Sequence, residues 1–141
     1  MSLGSASLTR RGGQHGGIAR SRDGGGTWEK VETDYTRATI VPPQRPDLLV
    51  AGPALGVGRG GRIVMSSDGG DTWEPAAHGI DVPMPDMVES FVASPDGSVW
   101  AICSGGSLLR ATASDLSWAS ALPPDAGVTV RSVAFTLDER R

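Results

Sequence analysis

Arg37, Glu89 and Arg131 stand at equivalent points of a repeat that runs through this chain of 141 residues. Guanidinium groups brought together hold a carboxylate through paired N–H donors, in a fixed geometry that lysine does not offer. Two arginines and a glutamate therefore have two readings: a site for an acidic ligand, or a channel-lining network of ion pairs. Tyr35, Arg59 and His78, with His15, Asp81 and Asp86, fall in loops that the strand pattern places on one face. Loops collect polar residues whatever their role, so an ordinary solvated reading stays open for this second group. The candidate ligand-binding residues are Arg37, Glu89, Arg131, Tyr35, Arg59 and His78.

Other chemistries find little support. Gly56-Val57-Gly58-Arg59-Gly60-Gly61 has the spacing of a dinucleotide loop. The residues after it, 62–65, read as strand, whereas that loop must open a helix whose N-terminus meets the pyrophosphate. The two histidines and Cys103 stand at no zinc-ligand spacing,, and no Gly-x-Ser-x-Gly turn exists to present a serine nucleophile. Carboxylates for glycoside hydrolysis must lie roughly 5 to 10 Å apart, which spacing alone does not assign; Asp81 and Asp86 qualify by type. No catalytic residue, metal ligand or cofactor is expected from these patterns.

The elements that would position such residues are marked by tryptophan. Trp28, Trp73 and Trp118 are each 45 residues from the next. Before the first two the chain reads Ser21-Arg22-Asp23-Gly24-Gly25-Gly26-Thr27 and Ser66-Ser67-Asp68-Gly69-Gly70-Asp71-Thr72. The third copy keeps Ser117 and Trp118 but has Ala113 in the aspartate's place. In such a loop the carboxylate can accept backbone N–H groups one to three residues on. Gly25 and Gly70 supply positive φ, and Thr27 and Thr72 lead into a strand. Trp28 and Trp73 are then expected to bury their rings against a neighbouring sheet.

No segment keeps a helical apolar period, and Gly 20 with Pro 10 breaks the chain into short runs of β type,. The runs fall into four-stranded meanders, A to D. The cleanest is 88–93, 99–103, 108–111 and 118–122, with Ser94-Pro95-Asp96-Gly97 as its first turn,. A second is 38–41, 48–51, 62–65 and 72–76. The first meander has B (6–9), C (18–20) and D (28–31) but no A, while 128–136 reads as an A strand with nothing after it. A period of about this length is that of one propeller blade. The expected fold is all-β: three four-stranded blades, with 1–36 the first, 37–81 the second, 82–126 the third, and 127–141 supplying a terminal A strand.

The loops resemble the Asp-box (BNR) repeat of sialidases, xyloglucan-cleaving glycosidases, sortilin-type receptors and a photosystem II assembly factor. The resemblance covers 17–32 and 61–76 closely and 106–122 in worn form. It implies a β-propeller in which Ser21, Asp23, Gly25, Thr27, Trp28, Ser66, Asp68, Gly70, Thr72, Trp73, Ser117 and Trp118 are structural, at the blade periphery. It also implies that ligands meet the opposite face, where the B–C and D–A loops gather. Sialidases hold a substrate carboxylate with an arginine triad, which Arg37 and Arg131 resemble in type; Tyr35 and Glu89 are of the right type for that family's nucleophile and its partner, but their spacing matches no motif. The resemblance leaves open a noncatalytic module that binds a protein or glycan, a glycosidase complete only in a full ring, and an inactive fragment of one.

Three blades are fewer than the roughly four to eight that surround a propeller channel. The chain is thus expected either to pair with a second copy, each terminal A strand completing the other's first blade, or to be part of a larger ring. A net charge of −3 offers no basic face for nucleic acid,. No apolar run reaches the roughly 18 residues of a membrane span, and 1–11 shows no signal-peptide pattern. Compartment is not legible. Cys103 is the single cysteine and lies in an apolar run, which points to a buried thiol,.

Overall fold

The computed structural model describes residues 6–7, 17–123 and 127–136, with backbone alone at 6–7. Among them there is no helix, and the strands form three antiparallel sheets. The first sheet orders β1 (Ala6–Ser7), β2 (Ile18–Arg20) and β3 (Glu29–Glu32). The second orders β4 (Tyr35–Ile40), β5 (Leu49–Gly56), β7 (Val64–Ser66) and β8 (Glu74–Pro75). A short β6 (Arg59–Gly61) folds back on the end of β5. The third orders β9 (Val88–Ala93), β10 (Ser98–Cys103), β11 (Leu108–Thr112) and β12 (Ala119–Ser120). Each is a meander in chain order, as short runs joined by tight turns must be.

Two differences from the expected strands have local causes. The 56–61 stretch, read as loop, is a hairpin: Gly56 pairs with Arg59, and Gly58 at φ 74° makes the turn,. The 128–136 stretch, read as an A strand, forms no strand, because no ladder partner lies beside it among the described residues. It still packs: the Val130 N–H donates to the Gly106 carbonyl at 2.9 Å, and the Phe135 ring lies tilted against Trp100 with centres 5.2 Å apart.

The sheets stack face to face through two junctions. β4 lies beside β9, and Val50, Ile63, Val88, Val99, Leu109 and Trp118 share one core between sheets two and three. The core between sheets one and two is much smaller, with Ile18, Ala51 and Val64 at its centre and Val31 and Trp73 against them.

Candidate functional site

In sheets one and two a Ser-x-Asp loop precedes the outer strand. Ser21 Oγ donates to Asp23 Oδ1 at 2.8 Å and accepts the Gly25 N–H at 2.8 Å. Asp23 Oδ1 in turn accepts the Thr27 N–H at 2.8 Å and its other oxygen the Thr27 hydroxyl at 2.6 Å. The second loop repeats each bond through Ser66, Asp68, Gly70 and Thr72. The Gly26 N–H, three residues on, also bonds Asp23, and the reach to the fourth follows from Gly25 and Gly70 at φ near 100°, which curl the chain back to the carboxylate,. Donors converging on an ionised oxygen favour its charged form. Asp23 is accordingly lowered to about 2, first by the Thr27 hydroxyl, and Asp68 is lowered further by Thr72.

The third loop closes without the aspartate at 113. Asp115 accepts the Thr112 hydroxyl at 2.7 Å and the Ser117 N–H at 3.1 Å, and Leu116 takes φ 51°. A related arrangement occupies the first turn of that sheet. Ser94 Oγ donates to Asp96, Asp96 accepts the Ser98 N–H at 3.1 Å, and Trp100 Nε1 donates to Ser94 Oγ at 2.9 Å. Sequence reading saw only a turn at 94–97; the signal lay in Ser94-x-Asp96-x-Ser98-x-Trp100, the same residue types compressed.

From these loops the tryptophans reach backwards across the junctions. Trp73 Nε1 donates to the Val31 carbonyl at 3.1 Å and Trp118 Nε1 to the Ala76 carbonyl at 2.8 Å, both 42 residues earlier. Trp118 is 3 % exposed, and its backbone N–H also binds the His78 carbonyl at 2.7 Å. Gly79 allows that approach, since a Cβ there would stand 2.2 Å from the Trp118 carbonyl oxygen. Trp73 is half-buried. Trp28 departs from expectation: it is 48 % exposed and donates only to Gly25 of its own loop at 3.2 Å. No sheet of the described residues lies on that side to cover it.

Three of the predicted ligand-binding residues meet at the β4–β9 junction. Arg37 on β4 donates from Nε to the Tyr35 hydroxyl and from Nη1 to Glu89 Oε1 on β9, each at 2.5 Å. Its guanidinium carbon also lies 5.2 Å from the Tyr35 ring centre. Arg37 is held above the usual arginine value, first by the Tyr35 oxygen and, against the cost of burial, by Glu89. Tyr35 is buried, while Arg37 and Glu89 are each about one-third exposed, at 36 % and 35 % of their side chains. The charge here is already answered from within the chain.

The other three stand apart from this group. Arg131 lies exposed on the unpaired 127–136 segment and makes no ion pair among the described residues. Arg59, exposed, folds over the Gly56 backbone of its hairpin. His78 is exposed and bridges to Ser117 beside the third loop, so it belongs to the Ser-x-Asp side of the molecule, not to the Tyr35 side. The exposed Asp81 makes no hydrogen bond or ion pair among the described residues, whereas Asp86 Oδ2 accepts the Gly105 N–H at 3.0 Å and fastens the 77–87 loop to the β10–β11 turn of sheet three. His15 lies outside the described residues. Cys103 is buried, and burial first, then Asp86, pushes its thiol up to about 12, so it is no nucleophile,.

Sequence reading missed an apolar hollow of about 270 Å³ between the β5–β6 hairpin and the 77–87 loop, lined by Leu55, Gly60, Arg62, Val82 and Pro83. Leu55 is 65 % exposed, with Val57 and Val82 also open to solvent. The glycine-rich run that lifts this edge carries, as sequence, only the spacing of a nucleotide loop. A second cleft, of about 210 Å³, lies among Arg45, Ser67, Thr72, Glu74 and Asp115 on the loop side. Comparison with protein-family models and with curated proteins finds no match for this chain.

Proposed function

We propose that the three sheets are blades of an Asp-box β-propeller and that the chain is a noncatalytic binding module taking a protein partner at its B–C/D–A face. The fold reading is supported by the tryptophan-to-carbonyl bond, which recurs at 42 residues across both junctions and so relates successive sheets by one operation. The binding reading is carried by the Leu55, Val57 and Val82 edge with its hollow. Large aliphatic side chains gathered in the open around a concavity, with one guanidinium at the rim, suit a protein partner better than a sugar,. Peptides selected on the immobilised protein should lose binding to Leu55→Asp and keep it with Arg37→Ala. The reverse pattern would sink this reading.

One observation favours a second reading, a sialidase-type glycosidase: Tyr35 and Glu89 lie on the same guanidinium. Glu89 is bonded to Arg37, and the Tyr35 oxygen accepts a proton donor where a nucleophile needs a base. Turnover of a fluorogenic sialoside, lost in both Tyr35→Phe and Glu89→Gln, would establish it over the binding module.

A further inference from the structure

The molecule carries two outer faces, and each lacks what the inner faces have. At the first junction Trp73 reaches the Val31 carbonyl, and Gly70 sits so close to Val31 that a Cβ would stand 3.1 Å from it. At the leading face of sheet one the equivalent ring, Trp28, is exposed, and a Cβ on the equivalent Gly25 would meet nothing within 4 Å. The loop is built as the second is but has no neighbour among the described residues to close on.

The trailing face of sheet three shows the matching half. Val31 and Ala76 are the acceptors used, 45 residues apart, and the next position in that register is Ala121. Its backbone repeats that of Ala76: the Ala76 N–H donates to Ile63, and the Ala121 N–H to Leu108, both at 2.9 Å. Ala121 is exposed, and its carbonyl accepts no indole among the described residues. Beside it, the 127–136 segment occupies on sheet three the place β9 occupies on sheet two. Gly61 packs against Met87 at the entrance to β9, where a Cβ would stand 2.7 Å from the Met87 Cα. Gly106, 45 residues on, packs against Thr129, and there the same distance is 3.1 Å. The segment therefore lies where an inner strand would, without a ladder partner among the described residues, while sheet one, β1-β2-β3, shows among them three strands and no inner one.

We infer that these two faces are a head-to-tail docking pair whose occupant is a second copy of this chain, with Trp28 Nε1 of one copy donating to the Ala121 carbonyl of the other. The 128–136 segment of the second copy then pairs along β1 of the first as its missing inner strand. The inference rests on the blade reading. Unlike faces that meet head to tail must close into a ring or run on as a filament. Two copies of three sheets give a ring of six, within the roughly four to eight that propellers use,.

Solution mass by light scattering tests this on the full chain. The wild type should weigh about twice the 14.6 kDa of one chain, and Trp28→Ala should weigh one. Trp28 lies outside the shared core, so the variant should keep the buried Trp118 signal in near-ultraviolet circular dichroism. A two-copy mass with Trp28 shielded from acrylamide supports the pairing. A one-copy mass at millimolar protein overturns it and hands both faces to further sheets of the same polypeptide. A mass that climbs without limit, as a filament's does, or a dimer that Trp28→Ala leaves intact, overturns it too. If Trp118 itself is quenched freely, it is the blade reading that fails.

Discussion

The two junctions perform the same task with different materials. Between sheets two and three the joint is mainly apolar, with the Arg37–Glu89 pair beside it: Trp118 is enclosed by a core that draws on β4, β5, β9, β10 and β11, and the Phe91 ring centre lies 6.1 Å from its own. Between sheets one and two the joint is largely ionic. Arg20, only 7 % exposed and paired with Glu29 at 2.6 Å within sheet one, reaches across to Asp71 at 2.8 Å and to the Gly69 carbonyl at 2.8 Å. Arg62 binds Glu32 at 3.1 Å and Asp34 at 2.8 Å. Area removed from water contributes in proportion to its extent, whereas partly exposed ion pairs return little after desolvation and screening. The second junction should therefore hold the molecule together, and the first should be the place where it opens.

The largest break should come from Trp118→Ala, which leaves a cavity in the shared core and removes the bond to Ala76. A loss of about 3–5 kcal/mol is expected, read from the urea midpoint at constant slope. Trp73→Ala should cost roughly half as much, about 2 kcal/mol, because its ring is half-buried,. Equal losses would erase the contrast between the junctions. Hydrogen exchange sharpens it further: amides of β2 and β3 should exchange through local opening well before those of β10 and β11, whose protection should track global unfolding.

Acid should act through the loops. Asp23 and Asp96 are lowered to about 2, and Asp68 is lowered too. A carboxylate depressed in the folded state stabilises it fully above its unfolded value of 3.8, and that contribution drains away as pH falls through the folded value,. Urea midpoints should thus hold steady down to about pH 4 and fall between about pH 4 and 2. Asp68→Asn should flatten that fall. A slope unchanged in the variant would show that the loop carboxylates do not carry it. The smallest effect should be salt: raising it to about 1 M shortens screening to ~3 Å, speeding exchange in β2 and β3 while sparing β10 and β11.

The strand plan was legible because it depends on local rules. Alternating apolar runs bounded by Pro-Asp-Gly and Asp-Gly-Gly state their own limits, and β9 runs over the residues the pattern marked. The loop chemistry was legible for the same reason, since donor and acceptor lie within a few residues. The Trp28 exposure was not, because whether a ring is covered depends on what stands beside its sheet, and no residue near Trp28 encodes that. Nor was the division of the candidate site. Arg37 and Glu89 meet because β4 and β9 are neighbours, whereas Arg131 has the same repeat position on a segment without a ladder partner among the described residues. His78 was misplaced because the chain leaving β8 still runs beside the third loop, a fact of three-dimensional course.

The clasp between neighbouring sheets ends on main-chain oxygen, and that has a consequence for how such a molecule can drift. Every residue has a carbonyl, so the side chains at positions 31 and 76 are free to vary while the indole opposite keeps its grip. The third loop has Ala113 where the first two have aspartate and still delivers Trp118 to its place. Lineages of this architecture should wear away almost everywhere except in the counting between rings, which makes interval a more durable mark of kinship than identity.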